Sequence, residues 1–370
     1  MSTADVQQLQ RTALYDRHVA AGARIVPFAG WDMPVQYAGV RAEHTAVRTG
    51  AGMFDVSHMG QLVVHGAGAE AALNRLLSND LARIPDAGMA QYTLLTNERG
   101  GIEDDLIAYR QEDGSFLLVV NAANTEHDEQ WLRTHLHDMP DVSLDNVSAD
   151  WSMLAVQGPL ALGAVRDVTG VDLTEHPNFR FVTASFDGHP MVVSTTGYTG
   201  ERGCEILIAP AAVGALWDML TADDRIELCG LAARDTLRLE ACYPLHGNDI
   251  STATSAVGAG LGWACGFATG FPGADVLERE RQAGATTKLI ALRMDDRGIP
   301  RAGCSLFDTA GNEVGSVTSG TMSPTLGYGI AMGWCSADAA AVDSPLIVDV
   351  RGTSYAARVV SRPFYRSPSN

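Results

Sequence analysis

"QYTLLTNERGGIEDDLIAYRQEDGSFLLVVN", residues 91–121, contains three short apolar runs joined by "ERGGIE" and by the turn "EDGS". Connections this tight make the runs antiparallel neighbours in one sheet. Residues two apart share a face, so Asp105, Ile107 and Tyr109 point the same way, with Asp105 and Tyr109 about 13 Å apart. Centring the first loop sets Tyr92 opposite Tyr109, and centring the second brings Asn121 within one residue of facing Asp105. One face then gathers Tyr92, Asp105, Tyr109 and Asn121, and a slip of one residue would reverse it. Asp104 faces the other side, which excludes a two-carboxylate glycosidase pair and leaves one of the two aspartates to solvent.

Strands and helices interleave on either side of this stretch. "GQLVVHG" reads as a strand and "GAEAALNRLLSN" as a helix. "NTEHDEQWLRTHLHD" is a helix capped by Asn124 or Thr125, with Glu126, Asp128 and Glu129 set favourably against the helix dipole. Upstream, a helical pattern covers 4–21, and the glycine and two prolines of "IVPFAGWDMPVQY" force turns around Trp31. "EHTAVRTGAGMFDVSHMG" passes from helix to strand through Gly50 and Gly52, with a boundary near Met59. From 151 to 247 the mixed style returns, with "MVVSTTG" and "CEILIAP" as strands and "AAVGALWDMLTA" and "LAARDTLRLEA" as helices. The Gly-, Ala-, Ser- and Thr-rich stretch 251–287 reads as a linker that packs across domains. Residues 288–370 form an all-β ending of barrel type.

Composition narrows the function. The 370 residues carry 26 basic and 44 acidic side chains, a net charge of −18, and Lys288 is the single lysine. Such a surface lacks the positive field that gathers phosphates, so nucleic-acid and anionic-membrane roles are not expected. No apolar run is long enough to span a bilayer, and "MSTADVQQLQRTALYDRHVAAGARI" carries both charge signs where a secretory signal would be basic and then apolar. The reading is cytoplasmic. Six cysteines fall without zinc-ribbon or dithiol spacing, and His135 with His137 lacks a second ligand set, so no metal site is expected.

Two further segments carry polar groups. In "TTGYTGERGCE", 195–205, Gly197, Gly200 and Gly203 let Tyr198, Glu201 and Glu205 crowd one loop. Glu205 opens an apolar strand, and a carboxylate there accepts two parallel donors from an amino-pyrimidinone edge. In "LAARDTLRLEA", Arg234 and Arg238 share a helix face; one aimed into a cleft would grip a carboxylate, and intrahelical ion pairing is the competing use. "GAGLGW", 258–263, lacks dinucleotide-loop spacing, and neither a phosphate loop with lysine nor a G-x-S-x-G elbow is present.

The strings "FAGWDMPVQY", "VRTGAGMFDVSHMG", "GGIEDDLIAY", "VVNAAN", "TTGYTGERGCE", "LAARDTLRLEA", "TSGTMSPTLGYGIAM" and "RPFYR" resemble, in order and over 14–366, the glycine-cleavage T-protein (aminomethyltransferase) family. The resemblance implies an α+β fold of three domains in a cloverleaf, closed by a C-terminal β-barrel. On this chain 1–58 with 147–250 would be the first, folate-binding domain, 59–146 the second, carrying Asp105, 251–287 the linker and 288–370 the barrel. It implies tetrahydrofolate as one-carbon acceptor, with an aminomethyl group delivered on the lipoyl arm of H-protein and released as ammonia. Asp105 would be the catalytic carboxylate. Met59, Tyr92, Tyr109 and Asn121 would line the pterin site, Tyr198 and Glu205 would read the pterin edge, and Arg234 and Arg366 would brace the substrate region or the folate tail. The uncharged "STATSAVG", 251–258, stands where that family is acidic. It points to the alternative of a demethylase-like member fed by a small-molecule one-carbon donor, with a non-catalytic folate-binding module as the third reading.

Overall fold

Alternation along the strands decides the architecture. In the strand Ser152–Gln157, Leu154 and Val156 join one apolar cluster while Met153 and Ala155 join another. The strand Gly203–Ile208 divides in the same way, Cys204, Ile206 and Ile208 on one side and Leu207 on the other. The first cluster is closed by Ala164, Val165, Leu216 and Trp217 of the helices Ala161–Thr169 and Pro210–Thr221. In the strand Ile102–Arg110, Leu106 and Ala108 pack with Leu132 and Leu136 of the helix Thr125–Leu136. Ile107 and Tyr109 join the cluster that already holds Met153, Ala155 and Leu207. Two sheets therefore pack face to face with helices on their outer sides, because a period of two sends alternate side chains to opposite layers.

This computed structural model describes residues 9–368. The first sheet runs Phe181–Phe186, His189–Ser194, Gly203–Ile208, Ser152–Gln157, Ala51–Asp55 and Ile226–Leu228, antiparallel except for the last pair. The second runs Ala90–Thr96, Ile102–Arg110, Phe116–Val120, Gly60–His65 and Ser143–Asn146, all antiparallel. A closed six-stranded barrel follows, formed by Thr287–Met294, Gly329–Ser336, Glu313–Met322, Ser305–Phe307, Pro345–Val350 and Thr353–Val360. The mixed α and β architecture with a C-terminal barrel is the one the sequence implies. Between barrel and second sheet, Ile250, Ala256, Leu261 and Phe271 pack against Leu94 and Ile102 on one side and Ala291 and Ile330 on the other. Contact is close at Gly101, where a Cβ would stand 2.0 Å from the Thr252 carbonyl oxygen.

Local expectations needed correction in four places. The N-terminal helix spans only Tyr15–Ala20; residues 4–8 of the expected helix lie outside the described ones, and Gln10 instead bonds through its backbone to Gly30 and Asp32 at the tip of a hairpin. That hairpin, Arg24–Phe28 with Trp31–Gln36, turns on Ala29 and Gly30 at φ of 49° and 84°, while both prolines sit within its strands. The helix expected in "GAEAALNRLLSN" is confined to Ala69–Leu73, because Leu77 leaves to pair with Leu95. Asn124 occupies the N-cap position of Thr125–Leu136, but its side chain bonds to Asp104 and His246 and leaves the helix backbone uncapped.

Candidate active site between the two sheets

Tyr92 pairs with Ile107, and Leu94 with Asp105, two residues away from the register that centring the loop predicts, and the register shifts once more between Leu95 and Thr96. A shift of two preserves every facing. Tyr92 thus still reaches Asp105, donating its hydroxyl hydrogen to Oδ2 over 3.0 Å. Ile107 opposite Val119 carries Asn121 to Asp105, and its Nδ2 stands 3.1 Å from Asp105 Oδ1 and 2.8 Å from Asp104 Oδ1. Asp105 is half-buried. Its burial, reinforced by the Asp104 charge, raises the carboxyl to about 7 against the lowering effect of the Tyr92 and Asn121 bonds.

Neither aspartate is left to solvent. Asp104 is fully buried on the helix side of the sheet and accepts the Asn121 backbone N–H at 3.1 Å and Asn124 Nδ2 at 2.6 Å. Facing alternates in a strand, yet Asn121 at the neighbouring strand's end wraps around and touches both carboxylates.

Tyr109 shares Asp105's face but does not stand beside it. It is completely buried, and its hydroxyl crosses to the other sheet, 3.4 Å from Ser194 Oγ and 3.2 Å from Thr196 Oγ1. Thr196 in turn donates to Glu205 Oε2 at 2.6 Å. Burial, aided by the Glu205 charge, lifts the Tyr109 phenol well above its ordinary range. Glu205 is buried on the same face as Leu207, so both sheets direct a carboxylate into the space between them.

The helix Leu231–Glu240 adds a cation. The Arg234 guanidinium lies 5.0 Å over the Tyr198 ring, and its buried Nη1 has no hydrogen-bond partner. Burial lowers its pKa, and the Glu205 charge opposes that effect. Tyr198 stacks on Tyr243 with centroids 5.9 Å apart and donates to the Pro244 carbonyl at 2.5 Å. Arg238, one turn on, takes the competing use, an intrahelical pair with Asp235 at 2.8 Å, and adds Asp249 at 2.5 Å and Ser319 at 2.8 Å, tying the helix to the barrel. Glu201 also leaves the site, for Arg48 at 2.9 Å and Ser367. Met59 is half-buried in the turn after Ala51–Asp55 and packs with the cluster that contains Tyr109 and Val119. Arg366 is exposed on the C-terminal tail.

Sequence reasoning missed three participants. His58 is buried beside Met59; its Nδ1 has no partner, and burial lowers its pKa to about 4, with Arg234 acting the same way. Trp263 is exposed and stacks on Tyr92, centroids 5.5 Å apart and planes 25° from parallel. His246 holds Asn124 at 2.8 Å and the Ile102 carbonyl at 2.9 Å. In "DVSHMG" the sequence signal singles out the methionine and not the adjacent imidazole, and "GAGLGW" reads only as a failed dinucleotide loop. Among the described residues no group of three or more His, Cys, Asp or Glu side chains is arranged to hold a metal ion.

Two unpartnered buried nitrogens, two inward carboxylates and stacked aromatic rings suit a flat ligand with nitrogen donors and an anionic part. Comparison with known proteins agrees with the architecture. The GCVT N-terminal domain family matches residues 14–269, and the glycine cleavage T-protein C-terminal barrel domain family matches 287–366. An aminomethyltransferase of Geobacillus kaustophilus is 45% identical over 364 residues, covering 97% of this chain and 99% of the relative. One of Flavobacterium psychrophilum is 43% identical over 362 residues, covering 97% and 100%. The crystal structure of glycine cleavage system aminomethyltransferase T from Bartonella henselae superposes with a TM-score of 0.91 at 36% identity, covering 97% of this chain and 99% of that one. With the two domain families matched in order and the relatives covered almost end to end, the chain belongs to the glycine cleavage T-protein family of aminomethyltransferases.

Proposed function

We propose that the protein moves a one-carbon unit from the aminomethyl-lipoyl arm of H-protein to tetrahydrofolate, releasing ammonia and forming 5,10-methylenetetrahydrofolate, and that it works in the cytoplasm. The observation that carries this reading is Asp105: a half-buried carboxyl between two sheets, raised to about 7 and gripped by Tyr92 and Asn121. The residues present fit the folate. Glu205 offers paired acceptors to an amino-pyrimidinone edge, and the free Arg234 Nη1 offers a charged donor. Tyr198, Met59 and the buried Tyr109 supply apolar walls. Exposed Arg366 suits an anionic tail that stays in water.

Tetrahydrofolate, when bound, supplies the nucleophilic nitrogens that take up the carbon. Asp105 then has two tasks. As a carboxylate it stabilises positive charge developing beside it in a site of low polarity. Its proton affinity lies near the operating pH, so it can also hold a proton at Oδ for the departing amine. Tyr92 at Oδ2 and Asn121 at Oδ1 fix the orientation of the carboxyl.

Incubation with tetrahydrofolate and aminomethylated H-protein, following ammonia and methylenetetrahydrofolate together, tests the proposal. Tight folate binding without turnover would turn the reading towards a small-molecule donor.

A further inference from the structure

Asp128, in the helix Thr125–Leu136, is fully buried, yet neither of its carboxyl oxygens meets a hydrogen-bond donor. A bare carboxylate in such a position is among the costliest groups a fold can contain. What it faces is another carboxyl, that of Asp104, which turns to the helix side with Leu106 and Ala108. Two carboxylate oxygens cannot bond unless one carries a proton. The neighbours decide which one. Asp104 accepts three N–H groups, from Asn121 N, Asn121 Nδ2 and Asn124 Nδ2, the surroundings of an anion; Asp128 has none, the surroundings of an acid.

We propose that Asp128 is a positioning residue that remains in its acid form and donates its proton to Asp104, so that the two act as one singly charged unit anchoring Asn121 over Asp105. Among the described residues no cation takes over this task. His246 Nδ1 stands 3.9 Å from Asp104, but it accepts from Asn124 while Nε2 donates to the Ile102 carbonyl, which is the neutral tautomer. Glu103 is engaged by His127 at 2.9 Å, and Tyr92 by Asp105. Asp128 therefore does not serve the helix dipole as the sequence suggests. Burial, then the Asp104 charge, raises its pKa strongly. The Asn121 amide is locked with its NH2 towards both aspartates, leaving its oxygen free for a ligand.

The catalytic part of this inference rests on Asp105 being the working carboxylate; the protonation part does not. Asp128→Asn keeps a donor for Asp104 and introduces no charge. Urea unfolding from pH 7.5 to 8.5, where the residual titration of Asp105 is common to both proteins, should show wild-type stability declining with pH more steeply than that of the variant by the linkage of one proton. Equal slopes would overturn the proposal. Should the variant fail to fold, the carbonyl stretch of a protonated carboxyl in the infrared spectrum of the wild-type protein at pH 8.5 gives the same answer, and its absence refutes it. In the pH profile of kcat/KM, the acid limb should stay in place in Asp128→Asn. Neutralising an ionised Asp128 would instead lower that limb by about one unit or more. A protein inactive with H-protein still yields the unfolding slope and the infrared band, so loss of the functional reading and loss of this one are distinguishable.

Discussion

Asp105→Asn should inactivate the enzyme and stabilise the fold. The amide is isosteric: its oxygen can keep the Asn121 Nδ2 bond, and Tyr92 can reverse to accept from the new NH2. What disappears is a carboxyl whose proton affinity has been pushed from 3.8 to about 7, first by burial and then by Asp104. Because the folded-state value lies above the unfolded one, folding is unaffected below pH 4, is weakened progressively as pH rises towards 7, and carries the full penalty beyond. At about 1.4 kcal/mol per unit, roughly three units set an upper limit of about 4 kcal/mol, which Asp105→Asn would recover at pH 8 and not at pH 4. Turnover should fall by about 10² to 10⁴, the usual worth of a positioned acid or base, with folate affinity largely retained. Urea unfolding at the two pH values, calorimetric folate titration and single-turnover assays read the three quantities. A variant as active as wild type, or less stable than wild type at pH 8, would refute the assignment of Asp105 as a functional carboxyl held at a cost to the fold.

Other outcomes follow from the same geometry. The kcat/KM of the wild-type enzyme should rise as pH passes about 7, since Asp105 must be ionised in the free enzyme, and this limb should vanish in Asp105→Asn; a flat profile between pH 6 and 8 would count against it. Arg234→Met removes a buried cation whose Nη1 has no protein partner, so stability should hold or improve while folate affinity falls by about 10- to 100-fold, the worth of a charged hydrogen bond; unchanged affinity in a binding titration would exclude the contact. Arg238→Met leaves Asp249 uncompensated between helix and barrel, where both side chains are almost wholly buried, and should cost about 3–5 kcal/mol in chemical denaturation without moving the pH limb.

The site is arranged at some expense to the fold. Asp105 and Arg234 are each shifted by burial towards their neutral forms, and the structure supplies neither with a full ion-pair partner. Other buried charges are paired within the chain. Glu240 is lowered to about 2 even against its burial, through His44, Ser323 and Arg48. Around Asp105 and Arg234 the pairing is left incomplete in the space between the sheets, where a ligand with matching groups would complete it.

Much of the frame follows from local rules that act along the chain. Alternation in "GGIEDDLIAY" and "SFLLVV" assigns Asp105 and Tyr109 to one layer and Asp104 to the other, and this parity survives even where the register was two residues off. The Gly-, Ala-, Ser- and Thr-rich stretch 251–287 marks off the mixed modules from the barrel. Tertiary structure alone decided what each side chain meets: Tyr109 with Thr196 and Ser194, Arg238 with the barrel, Arg234 Nη1 with no protein acceptor, and Asp128 with another acid. The reason is physical. Backbone geometry fixes the direction of a side chain from its neighbours in sequence, whereas burial, charge state and partnership depend on groups brought through space from remote segments, and those are set only when the two sheets close on each other.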